Sequence, residues 1–239
     1  MKVLDHTYPS PAENLACDEA LLDLCDEDPH SETLRFWESS DPFVVVGYAN
    51  CIASEVHRAV CEIRGVPIFR RCSGGGTVLQ GPGCLNYTLA IRIHSNTALS
   101  SIAGTNRFVM DRHRLALQSL IPEAINIQGH TDLAIDGVKF SGNAQRRRQH
   151  ALLFHGTILL HFDLSLVEAL LPLPSHEPSY RQGRGHREFV RNFPSSAQVV
   201  KSALSTAWSA REPSDPPTPE RIQNLLRHRY SQPAWNFKF

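Results

Sequence analysis

Three consecutive glycines, Gly74 to Gly76, stand between two short apolar segments of the chain. Glycine loses the most backbone entropy on folding, roughly 0.5–1 kcal/mol per residue relative to alanine, so the stretch favours neither helix nor strand. The N–H groups of such a loop can approach an anion closely, and Arg70 and Arg71 before it carry planar donors that suit phosphate or carboxylate. A flexible surface turn is the alternative, but a turn needs only one or two glycines. We therefore interpret the segment as a ligand-binding loop.

The loop matches neither of two common nucleotide-binding fingerprints. The lysine of the G-x-x-x-x-G-K-[ST] phosphate loop is missing, and no G-x-G-x-x-G sequence lies between a strand and a helix. The glycines alone therefore predict a ligand loop without identifying the ligand.

Composition and charge exclude several classes of protein. The 239 residues suffice for one large domain or two small ones. The 24 basic and 24 acidic residues leave no formal net charge, which argues against nonspecific nucleic-acid binding. No apolar run of about 18 residues occurs, so we expect a cytoplasmic protein without a membrane partner. The six cysteines have no C-x-x-C pair and no zinc-ligand spacing, which predicts reduced thiols and no metal-ligand set.

Hydrophobic periodicity and end signals predict a mixture of helices and strands. Ser10, Pro11 and Glu13 have the spacing of a capping box at a helix start. Helices are predicted over residues 11–27, 54–64, 105–120, 196–209 and 218–229. Strands are predicted over 33–37, 43–48, 67–71, 86–93 and 151–160, with a hairpin over 132–145 and a loop over 172–195. This order predicts an α/β (α+β) fold with a mixed central sheet flanked by helices, a main domain over 1–195 and a short helical tail over 196–239 packed on it.

Two cationic or titratable residues outside the glycine loop are candidates for chemistry. Lys139 is the only lysine between positions 2 and 201, and an ammonium on this hairpin strand could neutralise an acyl carboxylate and a phosphate together. A lysine that only protects a strand edge is the alternative, and spacing alone favours it. His155 lies in an apolar strand, where most histidines are core residues, although the neighbouring Gly156 hints at close approach of another group.

Four ordered segments resemble the lipoate–protein ligase A family, which shares a superfamily with biotin ligases and octanoyltransferases. The segments are RRCSGGGTV (70–78), GCLN (83–86), DGVKFSGNAQ (136–145) and HGTILL (155–160), and the similarity extends from about Leu15 to Phe193. The resemblance implies a biotin/lipoyl ligase-like catalytic domain with a groove for the acyl chain. It also implies that lipoate or octanoate reacts with Mg²⁺ and ATP to give an acyl adenylate. A lysine of a lipoyl carrier domain, or of an H-protein-like acceptor, then attacks the adenylate and releases AMP.

The resemblance also implies roles for single residues. Lys139 would be the catalytic residue that bridges the acyl carbonyl and the α-phosphate. The implied nucleotide-binding residues are Arg71, Gly76, Thr77, Val78, Leu79 and Lys139. The implied acyl-binding residues are Arg70, Ser73, Gly74, Gly75 and His155. Fixed donors at these places would stabilise the charge that develops at one phosphorus and one carbonyl.

Two departures from the family pattern bear on function. Gln80 stands where the family commonly has histidine, and because an amide cannot titrate we assign no proton transfer to it. Family ligases often carry an accessory domain after the catalytic one, whereas this chain ends soon after Trp235. We expect the accessory function to be absent or to come from a separate polypeptide.

Two other functions fit the same fold. Octanoyltransferases carry the acyl group on a cysteine, in one branch just before the lysine strand, but residues 122–138 contain no cysteine. Cys72 and Cys84 lie beside the glycine loop, where two arginines would favour a thiolate, although packing is the simpler role. The remaining alternative is a non-catalytic protein that binds lipoyl-AMP or a carrier domain. Lys139 and the complete glycine loop argue against it.

Overall fold

The computed structural model describes residues 1–239, except for the side chain of Ser95. Its strands, β1 to β11 in chain order, span Lys2–Asp5, Thr33–Trp37, Phe43–Val46, Ile68–Arg70, Val78–Gln80, Cys84–Arg92, Ile125–Gln128, Asp132–Ile135, Val138–Arg147, Ala151–Leu159 and Glu212–Pro213. The larger sheet has the order β11-β1-β2-β6-β10-β9-β8-β7, and the smaller has the order β4-β3-β5. The large sheet is mixed, because β1 runs parallel to β2 while β6, β10 and β9 pair antiparallel.

Helices surround the two sheets. The α-helices, α1 to α9 in chain order, span Pro11–Glu27, Ile52–Glu55, Arg58–Ile63, Ile102–Gln118, Ser165–Leu170, His186–Phe189, Ala197–Ala207, Pro219–Leu225 and Pro233–Asn236. Short 3-10 turns lie at residues 93–95, 97–100 and 179–181, and a π-helical turn lies at 226–230. Within the part of the chain that the structure describes, no helix is long and apolar enough to cross a membrane.

The large sheet is buried on both faces, since its central strands alternate between two hydrophobic clusters. On β6, Leu89 packs in a cluster with α4 and α7, whereas the next residue, Ala90, packs with α1 and α8. Helix α1 begins with the predicted capping box, in which the Ser10 side chain accepts from the Glu13 N–H. This packing fixes α1 across the sheet, so that its polar residues can reach the functional site.

The small sheet positions the glycine loop. Strand β4 pairs parallel with β3 and leads into the loop, and β5 leaves the loop to pair antiparallel with β3 on its other side. The loop therefore connects the two edge strands of this sheet, and its shape depends on what holds those strands and their neighbours in place.

The predicted fold class is confirmed, but several predicted elements differ. The helix predicted over 54–64 is two helices, α2 and α3, because Val56 between them is extended (φ −141°, ψ 132°) and buried. The strand predicted over 43–48 ends at Val46, since Tyr48 turns to donate its N–H to the Ser73 carbonyl. The predicted loop over 172–195 contains a 3-10 turn and helix α6. The prediction lacks β1, β5, β7, β11, α5 and α9, all six residues or shorter, which leave little periodicity to detect.

Residues 196–239 contact the rest of the chain at several places. Helix α7 packs on α4, α8 packs on α1, and β11 extends the large sheet beside β1. These contacts agree with a tail that packs on the main body, and the domain division at residue 195 stays a prediction.

His113 on α4 makes the stability of this fold dependent on pH. It is buried, and its Nε2 accepts a hydrogen bond from the indole N–H of Trp208 at 2.8 Å. Burial, with a smaller contribution from Arg112, lowers the pKa of His113 to about 3. An unfolded histidine titrates near 6.5, so the unfolded state binds a proton first and the native state loses stability as pH falls from about 6.5 towards 3.

We expect the variant His113→Gln, which keeps an acceptor for Trp208, to lose less unfolding free energy than the wild type between pH 7 and pH 5. The difference should be about 2 kcal/mol, since each pH unit below 6.5 costs about 1.4 kcal/mol. Urea unfolding at a series of pH values measures it. The exposed His228, replaced by glutamine, is the control and should retain the wild-type pH dependence. Equal pH dependence for His113→Gln and the wild type would contradict the assignment.

Candidate functional site

A cavity of about 430 Å³ opens between the glycine loop, strands β9 and β10, and the segment 174–181. Part of its lining is apolar and comes from α1, β2 and β3, with Leu15, Trp37 and Val45. Another part carries the polar side chains Arg71, Asp132, Lys139 and His155 and the backbone of Gly75 and Gly76. An apolar pocket with a few convergent polar groups is the usual form of a small-molecule site.

The glycine loop is held in shape by Arg71. Its guanidinium donates to the carbonyl oxygens of Gly74 at 2.6 Å and Gly76 at 2.7 Å, and its Nε donates to Ser73 Oγ at 3.1 Å. Burial lowers the pKa of Arg71 to about 10, so the side chain keeps its charge near neutral pH. Gly75 has φ +85°, a left-handed conformation that favours glycine. Arg71 thus forms the base of the loop.

Lys139 reaches the cavity from β9. Its Nζ lies 2.8 Å from Asp132 Oδ1, and the other oxygen of that carboxylate accepts a hydrogen bond from Tyr180 Oη at 2.7 Å. Burial first, and the adjacent Asp132 second, raise the pKa of Tyr180, which therefore stays a neutral donor. A Cβ atom added at Gly142 would lie 2.6 Å from Nζ, so the ammonium lies directly over this glycine. The pair with Asp132 and the bare backbone of Gly142 together fix the position of the cation.

A second cavity of about 110 Å³ shares part of its wall with the first. Thr77, Val78, Lys139 and Thr157 line both cavities, whereas Leu79 lines only the second. Lys139 therefore lies where two separate binding volumes meet.

His155 connects the glycine loop to a buried ion pair. Its Nε2 lies 2.6 Å from Ser73 Oγ, and its Nδ1 lies 3.6 Å from Asp18 Oδ2. The other oxygen of Asp18 is 2.6 Å from the guanidinium of Arg35, which is fully buried. Burial alone would raise the pKa of Asp18, but Arg35 and His155 outweigh it and lower the pKa. The buried carboxylate is therefore ionised and orients the imidazole.

Asn143 is a cavity residue to which the sequence analysis assigned no role. Its Nδ2 donates to the Thr131 carbonyl at 2.5 Å, and its Oδ1 accepts from the Tyr87 hydroxyl. A Cβ atom at Gly156 would overlap Asn143 Oδ1, so a side chain there would displace the amide. Asn143 lies inside the DGVKFSGNAQ segment, and this position was the one feature of the sequence that could have identified it as a site residue. Its partners lie too far away in sequence to be predicted from spacing.

The structure brings most of the predicted site residues together. The first cavity is lined by Arg71, Gly75, Gly76, Thr77, Val78, Lys139 and His155. Leu79 lines the second cavity. Ser73, which is buried, and Gly74, which is exposed, are not part of either lining; they bond to His155 and Arg71 respectively. Arg70, predicted to contact the acyl group, is instead turned away and donates to backbone carbonyls of residues 47–50. The binding roles of these residues stay predictions.

The cysteines considered for acyl transfer are not placed as nucleophiles. Cys72 and Cys84 are buried, and burial raises the pKa of each thiol to about 12. Cys51 is exposed, and the linings of both cavities, as far as the structure describes them, contain other residues only. A thiolate at Cys72 or Cys84 is therefore strongly disfavoured near neutral pH.

The chain matches known proteins over most of its length. The family described as the lipoyl protein ligase A/B catalytic domain matches residues 10–205. The chain belongs to this family. A family member, the putative lipoate-protein ligase A of Aeropyrum pernix, is 30% identical over 211 residues, covering 87% of this chain and 74% of that protein. The octanoyltransferase LipM of Brevibacillus brevis is 28% identical over 264 residues, covering 96% of this chain and 95% of that protein. Membership thus assigns the chain to enzymes of protein lipoylation without choosing between ligase and transferase.

Solved structures of lipoate ligases share the fold. Lipoate-protein ligase A bound with ATP matches with a TM-score of 0.83 at 25% identity, over 99% of this chain and 98% of that one. A bi-partite lipoate protein ligase from Thermoplasma acidophilum, solved in a study of that ligase and its E2 lipoyl domain, matches with a TM-score of 0.81 at 24% identity, over 99% and 95%. The resemblance stated from the sequence motifs, and the fold that it implied, are confirmed.

Proposed function

We propose that the chain is a lipoate–protein ligase that activates lipoate or octanoate with ATP and transfers the acyl group to a lysine of a lipoyl carrier domain. The observation that carries the proposal is the position of Lys139, which lines both cavities where they meet beside the glycine loop. A reaction that joins an acid to a nucleotide needs a fixed cation at the junction of the two substrates. The likeness to a ligase solved with ATP supports ATP as the second substrate.

In the first step, a carboxylate oxygen of the acid attacks the α-phosphorus of ATP. A C–O–P linkage forms, the bond to pyrophosphate breaks, and Lys139 Nζ stabilises the charge on the phosphoryl oxygens. Asp132 at 2.8 Å and the backbone of Gly142 hold the ammonium there. In the second step, the neutral carrier lysine amine attacks the acyl carbon, a C–N bond forms, the C–O bond to AMP breaks, and one amine proton passes to solvent while the other stays on the amide nitrogen.

The glycine loop and β5 would hold the nucleotide. Strand β5 is an edge strand, so its outer backbone groups are available beside the loop residues Gly76 and Thr77. Arg71 would act by holding the loop carbonyls, and His155 and Gly75 would line the acyl part of the cavity.

The protein residues alone do not fit a Mg²⁺ site. Among the described side chains, no group of three or more histidines, cysteines or acids could hold a metal. The carboxylates of this cavity, Asp18, Asp132 and Glu177, pair with Arg35, Lys139 and Arg181 respectively. Mg²⁺ in ATP-dependent enzymes is bound largely by substrate phosphates, so we assign the ion to ATP and no residue to the ion.

A lipoyl carrier domain is the acceptor that the comparisons favour. The T. acidophilum ligase was studied with its E2 lipoyl domain, and its bi-partite organisation supports a separate accessory polypeptide as a possible partner of this chain. Adding such a polypeptide to an assay of pyrophosphate release would test whether it is a partner.

The alternative is an octanoyltransferase that works through a cysteine thioester. The similarity to LipM over 96% of the chain favours it. The burial of Cys72 and Cys84, with pKa values raised to about 12, counts against it, and so we place the ligase first.

Pyrophosphate release by the purified protein tests the proposal. With ATP and lipoate or octanoate, we expect pyrophosphate without a carrier domain, and acylated carrier when one is added. Incubation with an octanoyl-carrier protein followed by mass spectrometry tests the alternative. An octanoyl adduct on Cys72 or Cys84, together with no pyrophosphate, would replace the ligase by a transferase. No turnover in either assay would favour a protein that only binds lipoyl-AMP or a carrier domain, or an enzyme that requires the accessory polypeptide.

A further inference from the structure

Arg70 is the centre of a buried contact outside the cavity. Its Nη1 donates to the carbonyl oxygens of Gly47 and Asn50, both at 2.8 Å, and of Tyr48 at 3.2 Å. The residue is fully buried. An arginine in this position gathers three carbonyls of one short loop, residues 47–50, around a single guanidinium.

The 47–50 loop lies directly against the glycine loop. The N–H of Tyr48 donates to the Ser73 carbonyl at 2.9 Å, and Asn50 Nδ2 lies 3.4 Å from Thr77 Oγ1. A Cβ atom at Gly47 would lie 2.0 Å from the Gly75 carbonyl oxygen, so the two backbones are in contact. Any shift of the 47–50 loop would therefore change the shape of the glycine loop.

The C-terminal residues hold Arg70 from the other side. The indole N–H of Trp235 donates to the Arg70 carbonyl at 2.8 Å, and Arg70 Nε donates to the Trp235 carbonyl at 3.2 Å. The N–H of Arg70 donates to Asn236 Oδ1 at 3.0 Å, and Asn236 Nδ2 donates to the Tyr230 carbonyl at 3.0 Å. Asn236 is itself buried. The three bonds to Arg70 each span more than 160 positions in the sequence and connect α9 directly to Arg70.

We propose that Trp235 and Asn236 are positioning residues, which act through Arg70 and the 47–50 loop to hold the glycine loop in its binding shape. Backbone donors that are already in place need no further ordering when an anion binds, whereas a mobile loop loses conformational freedom at that moment. The kinetic part of this proposal rests on the proposed function, because it assumes that the glycine loop binds ATP. The structural part, which concerns the order of the glycine loop in the free protein, does not rest on the proposed function.

The variants Trp235→Phe and Asn236→Ala test the proposal. Phenylalanine keeps an aromatic ring, smaller than the indole, but removes the indole N–H, and alanine removes the acceptor of the Arg70 N–H. We expect each to raise the KM for ATP about 10-fold with a smaller change in kcat, which corresponds to about 1.4 kcal/mol of binding free energy. Hydrogen exchange should accelerate at the amides of residues 47–50 and 73–77 and stay unchanged in β6 and β10.

Phe237→Ala is the matched control. Phe237 belongs to the same C-terminal segment, but it is exposed and its ring lies beside Arg58, 5.1 Å from the guanidinium carbon. It should keep the wild-type KM and the wild-type exchange of the glycine loop.

Two results would overturn the proposal: unchanged exchange at residues 73–77 in both variants, or faster exchange throughout the protein, which would indicate a general loss of stability. If the wild type releases no pyrophosphate with or without the accessory polypeptide, the proposed function fails, and the exchange data still decide whether these residues order the loop. Faster exchange confined to the two loops, with no change in the KM for ATP, would reject the link between loop order and binding.

Discussion

Lys139→Ala is expected to lower the rate of pyrophosphate release by at least about 10²-fold, the usual effect of removing one preorganised donor from a reacting centre. The ammonium lines both cavities, and alanine removes the one amine that would neutralise the charge developing where the substrates meet. The fold should persist, because the ion pair of Lys139 with Asp132 is partly exposed and such pairs contribute little to stability. A pyrophosphate assay with saturating ATP and acid, together with a thermal melt, measures both effects.

Lys201→Ala is the control for this prediction. Lys201 lies on α7 and pairs with Asp5 at 2.7 Å on the outside of the protein. Like Lys139 it is a cation paired with an aspartate, but it does not line either cavity. It should have wild-type activity. A Lys139→Ala enzyme with a near-normal rate would remove Lys139 from the reaction and with it the main support for the proposed function.

Gly142→Ala should lower the same rate about 10²-fold by displacing the ammonium while Lys139 is still present. The new Cβ would lie 2.6 Å from Nζ and 2.7 Å from Cε, closer than atoms can approach, so one of them must move. Because the end of a lysine side chain is flexible, we expect Nζ to shift and the backbone to stay. A misplacement of about 1 Å can cost about 10²-fold in rate.

The matched control for Gly142→Ala is Gly185→Ala. A Cβ atom at Gly185 would meet only Glu188 Oε2, at 3.9 Å, so the substitution adds the same methyl group in ordinary contact. We expect wild-type kinetics from it. Full activity of Gly142→Ala, or a loss explained by a large drop in melting temperature, would contradict the idea that this glycine makes room for the cation.

Local pattern predicted much of the fold but not the way in which its parts meet. The capping box at Ser10 and the strands over 86–93 and 151–160 depend on neighbours in sequence, and these features were predicted. The break at Val56 was not predicted, because the chain there is extended by a distant contact, the bond from the His57 N–H to the Leu170 carbonyl. Helical propensity over 54–64 is overridden by tertiary packing.

In the candidate site, too, contiguous motifs were predicted and contacts between distant residues were not. The glycine loop and Lys139 were recognised because their motifs are contiguous, and both line the main cavity. Arg70 was predicted to contact the acyl group, but its side chain is used by the 47–50 loop and the C-terminal segment, partners that lie about 20 and 165 positions away. The links from Asp132 to Tyr180 and from Asn143 to Tyr87 likewise join distant strands and loops. Spacing alone carries no information about such pairs.

The wall shared by the two cavities has a consequence for inhibitor design. Since Thr77, Val78, Lys139 and Thr157 line both volumes, the two volumes lie side by side, within reach of a single compound. In a compound that joins a fatty chain to a nucleoside through a stable linker, binding of one half would hold the other half close to its own cavity. The translational entropy of binding would then be lost once instead of twice, and the joined compound would bind more tightly than either half. Under the proposed function, such a compound would compete with both substrates at once.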